Sequence, residues 1–139
     1  MTTASDICAF VGKHLSNYQE NRDEAYFQWY LDRTLCGVVK QDGRIGGVAI
    51  VRFVDKAEEG LTPYLHKPEG QTTWVELVVS EQGGSIASLF RLLWDRYGRR
   101  PFVAYRREFK NGAVRSFPIR MFDKMNALSE SKLALHGGI

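Results

Sequence analysis

Two places in the chain carry residues that could do chemistry. The first is the small-residue turn Glu81-Gln82-Gly83-Gly84-Ser85-Ile86-Ala87, which opens an amphipathic helix. Such a turn leaves several backbone N–H groups unpaired and converging, and the helix dipole adds positive potential there, so the turn suits an anion. The plainer reading is a tight glycine turn capped by Ser85. The second is Glu76, a carboxylate inside the apolar run Trp74 to Val79. Flanked by Val75 and Leu77, and sharing a face with Trp74 and Val78, it is expected to be partly desolvated, which raises a carboxylate's pKa toward a base's useful range. The alternatives are a charge on a solvent-facing side, or a partner of a nearby arginine. Tyr105 is a third candidate, as a proton donor, although an aromatic in a strand more often belongs to the core. His66 reads as an exposed loop histidine rather than a base.

The elements that must position these groups follow from periodicity. Trp74 to Val79 alternates as a strand that is apolar on both faces, hence interior. From Ile86 the apolar residues Leu89, Phe90, Leu93 and Tyr97 recur at spacings of three and four, and Gly98 ends that helix. Pro101 to Arg107 is a further strand. Strand, helix and strand in succession predict a parallel pair with a right-handed crossover.

Upstream, Ser5 to Tyr18 predicts a helix capped by Ser5 or Asp6, and Asp23 to Leu35 a second with Tyr26, Phe27, Tyr30 and Leu31 on one side. Leu35 to Lys40 and Arg44 to Val54 predict a hairpin through Asp42-Gly43, with Gly46 and Gly47 marking a bulge or a close backbone approach. Asp55 to Thr73 reads as a polar connection holding a short strand at Leu61 to His66, either a flap over a site or a solvated loop. Downstream, Asn111-Gly112 between Phe109 and Val114 predicts a hairpin. Val114 to Phe122 is then a returning strand, or a strand followed by a short helix from Pro118 to Met125.

The segment Gln82-Gly83-Gly84-Ser85-Ile86-Ala87 resembles the diphosphate-binding loop of the GNAT N-acetyltransferase superfamily, Gln/Arg-x-x-Gly-x-Gly/Ala, with Gln82 and Ala87 matching and Ser85 replacing a glycine. The order of elements over residues 5 to 107 is similar to that family as well. The resemblance implies a single α/β (α+β) domain over residues 1–139: a mixed, mostly antiparallel sheet with helices on both faces and one parallel crossover, its tail 127–139 frayed. It implies an acetyl-CoA-dependent N-acyltransferase, with Val78, Val79 and residues Gln82, Gly83, Gly84, Ser85, Ile86 and Ala87 holding the cofactor. Glu76 would be the base for the amine and Tyr105 a proton donor to the thiolate. The loop Asn17 to Arg22 would line the groove for a small-molecule or peptide amine. Where the family carries a tyrosine near the position of Phe122, this chain has no proton to give, and its end is shortened. A catalytically inactive GNAT fold serving in binding or assembly, similar to phage- and prophage-encoded proteins, is the alternative.

Composition sets the remaining bounds. The net charge of +3 is uneven: residues 1–90 hold 8 Lys/Arg against 12 Asp/Glu, whereas residues 91–124 hold 10 against 3. The basic third could face coenzyme A or a nucleic acid, with Arg96, Arg99, Arg100, Arg106, Arg107, Lys110 and Arg115 meeting phosphates. No apolar run reaches the roughly 18 residues of a membrane span, and Met1 to Phe10 does not read as a leader, so a cytoplasmic protein is expected. Cys8 and Cys36 are expected to be reduced, and His14, His66 and His136 lie at no metal-ligand spacing.

Overall fold

The computed structural model describes residues 2–14, 23–81, 85–106, 113–121 and 124, with the backbone alone at 85–87. Helix α1 spans Ala4–His14. Its cap is Thr3 rather than Ser5 or Asp6: Thr3 Oγ1 accepts from the Asp6 amide at 3.2 Å while Asp6 accepts from the Thr3 amide at 3.1 Å. Reciprocal capping satisfies two helix-end donors at once. Helix α2, Glu24–Asp32, starts at Asp23, whose carboxylate accepts from Tyr26 N. It stops three residues short of the expected Leu35, because Thr34 turns to a positive φ of 54°.

Strands β1 (Cys36–Gln41) and β2 (Arg44–Val54) form the expected hairpin. Val39 pairs with Gly47 and Lys40 with Ile45, so Gly46 is the extra residue of a bulge. A third strand, β3 (Thr72–Ser80), lies antiparallel to β2 and leads to α3 (Ser85–Tyr97). Next come β4 (Phe102–Arg106), parallel to β3, and β5 (Val114–Pro118), antiparallel to β4. The sheet is five-stranded in the order β1-β2-β3-β4-β5, mixed and mostly antiparallel. After β5 the chain turns helical at residues 119–121, which favours the strand-then-helix alternative over an uninterrupted strand to Phe122.

Helices cover both faces. On one, α3 lays Leu89 and Leu93 over Gly37, and Trp94 donates to Thr73 Oγ1 at 3.3 Å. On the other, α2 reaches Arg52 through Tyr30, and a short 3₁₀ helix, Ala57–Leu61, seats Gly60 on the Trp74 ring. The connection from 55 to 71 is therefore tied down. The expected strand Leu61 to His66 is absent, and the reason is electrostatic. Arg52 gathers the carbonyls of Gly60, Thr62 and Leu65, which curls the backbone around one guanidinium.

Candidate functional site

The sheet is continuous from β1 to β3 and then divides. β3 and β4 pair over four residues of each strand, Thr72–Val75 with Phe102–Tyr105, and the pairing ends there. Strand β3 runs on to Ser80, so its Glu76–Ser80 edge facing away from β2 has no strand beside it among the described residues. The same point carries a second irregularity. Ile50 pairs with Leu77 but Val51 pairs with Val75, leaving Glu76 as an extra residue. A bulge bends and twists its strand, which is the local cause of a divergence here.

The bulge also corrects the expected side-chain pattern. Ile50 and Arg52 lie on one face of β2 and pair with Leu77 and Trp74, so Trp74 shares its face with Leu77 and not with Val78. Glu76 turns to that same face, with Oε1 3.4 Å from Arg52 Nη2 and its side chain 20% exposed. The surroundings of Glu76 are thus not the apolar pocket expected: it is the partner of a buried arginine, one of the alternatives its position left open. Arg52 itself is fully buried. Its Nε donates to Tyr30 Oη at 3.1 Å, Nη1 to the carbonyls of Thr62 and Leu65 at 2.9 and 2.7 Å, and Nη2 to the Gly60 carbonyl at 2.7 Å. All five guanidinium protons are used once Glu76 is included. Burial, with Tyr26 and the Glu76 carboxylate adding to it, drives the Tyr30 phenol pKa upward, so Tyr30 stays protonated. Arg52 was not singled out in the sequence. The available signal was one cation inside the apolar run Val48 to Val54.

The remaining candidates are placed as follows. Val79 is buried and Val78 half-buried on the divergent part of β3. Ser85, Ile86 and Ala87 form the first turn of α3, at the end of the sheet toward which β3 and β4 separate. Gln82, Gly83 and Gly84 lie outside the described residues, as do Asn17 to Arg22, Phe122 and the tail 127–139. Tyr105 is the last residue of β4 paired with β3, its ring 6.1 Å from Phe117, half-buried against the core. His66 is half-buried rather than exposed: its Nδ1 accepts from the Phe53 amide at 3.1 Å, and burial, aided by Arg52, Arg100 and Arg33, lowers its pKa and keeps it neutral. Burial pushes the Cys36 thiol up to about 12, so it has little thiolate character. Of the basic residues, Arg100 is committed inward, over the Phe53 ring at 4.1 Å and bonded to the carbonyls of Gly70 and Tyr97, while Arg96 and Arg115 are exposed. Among the described residues no helix is long and apolar enough to cross a membrane.

A parallel pair that parts at a bulge, with a helix starting at the open end, is the arrangement expected of the GNAT N-acetyltransferases, and a solved structure of that kind has a similar overall fold. The loading GNATL domain of CurA from Lyngbya majuscula superposes with a TM-score of 0.51 at 12% identity, over 79% of this chain and 65% of that domain. The fold is GNAT-like. The chain thus spans less than two thirds of that GNATL domain's length. A proposed acetyltransferase from Staphylococcus aureus Mu50 matches with a TM-score of 0.47 at 14% identity, over 76% of each chain. No family model matches the sequence, and no curated protein does. The last strand among the described residues is β5, antiparallel to β4.

Proposed function

We propose that this GNAT-like chain is an N-acyltransferase that moves an acyl group, acetyl in the simplest case, from coenzyme A to an amine. The observation that carries the reading is the limit of β3–β4 pairing at Val75 and Tyr105, which among the described residues leaves the Glu76–Val79 edge without a strand beside it, toward the end where α3 begins. An unpaired strand edge offers backbone donors and acceptors to an extended, amide-bearing chain such as pantetheine. The first-turn amides of α3, which Gln82, Gly83 and Gly84 precede in the sequence, are suited to the diphosphate. Ligands of open α/β sheets bind outside the carboxyl ends of the strands, and this opening lies at the carboxyl end of β3.

A coenzyme A thioester supplies an acyl carbonyl open to attack by nitrogen. Glu76, at the bulge where the strands part, is the carboxylate placed to take the proton that the amine loses as its C–N bond forms, directly or through water. On this reading Tyr105, paired with Val75 on the neighbouring strand, returns a proton to the sulfur as the C–S bond breaks, from the sheet face opposite to that of Glu76. Arg52 holds Glu76 in position. A cytoplasmic site of action goes with a coenzyme A donor.

Calorimetric titration with acetyl-CoA tests the reading, repeated on Gly84→Val, which puts a branched side chain into the turn. Micromolar binding lost in the variant supports the site. No binding at millimolar acetyl-CoA overturns it, and salt-dependent binding of an oligonucleotide would then favour a nucleic-acid module working through exposed residues such as Arg96 and Arg115.

A further inference from the structure

A second set of polar groups gathers at the other end of the sheet from the β3–β4 opening, where β2 ends and α3 gives way to β4. Phe53 is its centre. The Phe53 amide donates to His66 Nδ1 at 3.1 Å, its ring lies 5.5 Å from that of Tyr97, and the Arg100 guanidinium sits 4.1 Å from the ring centre. Arg100 Nη2 donates in turn to the Tyr97 carbonyl at 3.1 Å, and Tyr97 Oη donates to the Arg33 carbonyl at 2.7 Å. Arg33, His66 and Arg100, from three separate segments, are thereby fixed around one ring.

Three observations leave this cluster short of negative charge. Unlike Arg52, whose charge Glu76 meets, neither Arg33 nor Arg100 has a carboxylate within ion-pair distance among the described residues. Arg33 bonds the Trp29 carbonyl and stacks on its ring; Arg100 bonds the carbonyls of Gly70 and Tyr97, and its buried Nε has no partner among the described residues. The carboxylates nearby in the chain are already used, since Asp32 accepts from Gln28 at 2.7 Å while Asp55 and Glu59 hold Lys67. Finally, His66 accepts through Nδ1, so the neutral ring carries its proton on Nε2, a donor for which no acceptor lies among the described residues.

Two fixed cations without a counter-charge, and one neutral N–H beside them, match a doubly charged oxyanion. A guanidinium binds two oxygens of such a group side by side, and an imidazole N–H takes a third. Arg33 is exposed and His66 half-buried, so solvent reaches both, while Arg100, tied inward, adds positive potential. We propose that Arg33 and His66, backed by Arg100, form an anion site for a phosphate monoester. Its place at the end of β2 separates it from the turn before α3, and it does not depend on the acyltransferase reading.

The test follows the His66 ring by NMR while inorganic phosphate is added at about pH 7.5, where most of the phosphate is doubly charged. The His66 Nε2 resonance is expected to shift and to saturate with a dissociation constant of about 1 mM, and sulfate to act alike. Arg33→Gln, at an exposed position, is expected to weaken binding roughly tenfold, with Arg33→Lys recovering part of the loss. Arg44→Gln, at the far end of β2, leaves it unchanged. Phosphate held only by the amides of α3 would leave His66 unmoved and the affinity indifferent to Arg33. A His66 resonance unmoved at about 20 mM phosphate, equal affinity in Arg33→Gln, or acetate binding as tightly as phosphate would overturn the proposal.

Discussion

At the scale of single residues, Arg52 decides more than any other side chain. A buried guanidinium is tolerated only when its protons are all accepted, and here Tyr30, three loop carbonyls and Glu76 accept them. Removing it leaves those carbonyls and a carboxylate without their donor in a site that water does not replace. Arg52→Met is therefore expected to destabilise the fold by about 3–5 kcal/mol, read as a lower midpoint in urea unfolding. Arg52→Lys should recover only part of this, because an ammonium has three protons and no planar fork to span acceptors set around one guanidinium. Full recovery by lysine would show that charge alone, and not the arrangement of donors, holds the loop. The candidate site depends on the same residue, since Glu76 is positioned through it.

At the scale of elements, the 3₁₀ helix is the piece that closes the second face of the sheet, and it is held at both ends. Glu59 Oε1 accepts from the amides of Asp55 and Lys56, each at 2.9 Å, while Oε2 pairs with Lys67. The Lys67 ammonium and these amides hold the Glu59 carboxyl at about 2, against an ordinary 4.5. A carboxyl depressed in the folded state stabilises the fold above its unfolded pKa and loses that contribution as it protonates. Stability should accordingly fall between about pH 4.5 and pH 2, and Glu59→Gln should flatten that part of a pH–melting curve. The other anchor is steric. A Cβ on Gly60 would lie 1.9 Å from Trp74 Cδ2, so Gly60→Ala forces the helix off the sheet. A loss of about 1–3 kcal/mol is expected in thermal or urea unfolding, partly restored by Trp74→Leu, which clears the space. None of this was legible in the sequence, where residues 55–73 read as polar connection: Gly60 and Glu59 look solvated until Arg52 is known to bond the Gly60 carbonyl and Lys67 to pair with Glu59. The regular elements were legible because each announces itself locally, β2 by its apolar run after Asp42-Gly43, and α3 by Leu89, Phe90 and Leu93. The bulge at Glu76 was not, since an alternating apolar strand looks the same with or without an extra residue. That single residue put Trp74 on the face of Leu77, from which simple alternation would have separated it.

At the scale of the whole molecule, the sheet behaves as two units that share β3. One is the antiparallel block β1-β2-β3, paired along nearly its whole length; the other is β3-β4-β5, joined to the first through only four residues of β3. Amides of β3 that face β2 are in the first block from Thr72 to Ser80. On the other side, among the described residues, a strand lies beside β3 only from Thr72 to Val75, where β4 pairs with it. Native-state hydrogen exchange should therefore separate neighbouring residues of one strand: between Glu76 and Val79, amides pointing away from β2 should exchange fast, while those pointing toward it are protected. The acyltransferase reading adds a second requirement. A pantetheine chain laid along the open edge would bond those same amides, so saturating acetyl-CoA should slow them and leave the β2-facing set unchanged. Uniform slow exchange across Glu76 to Val79 without ligand would mean that the edge is covered by another part of the chain. The opening could then not receive the cofactor, whatever the likeness of the fold.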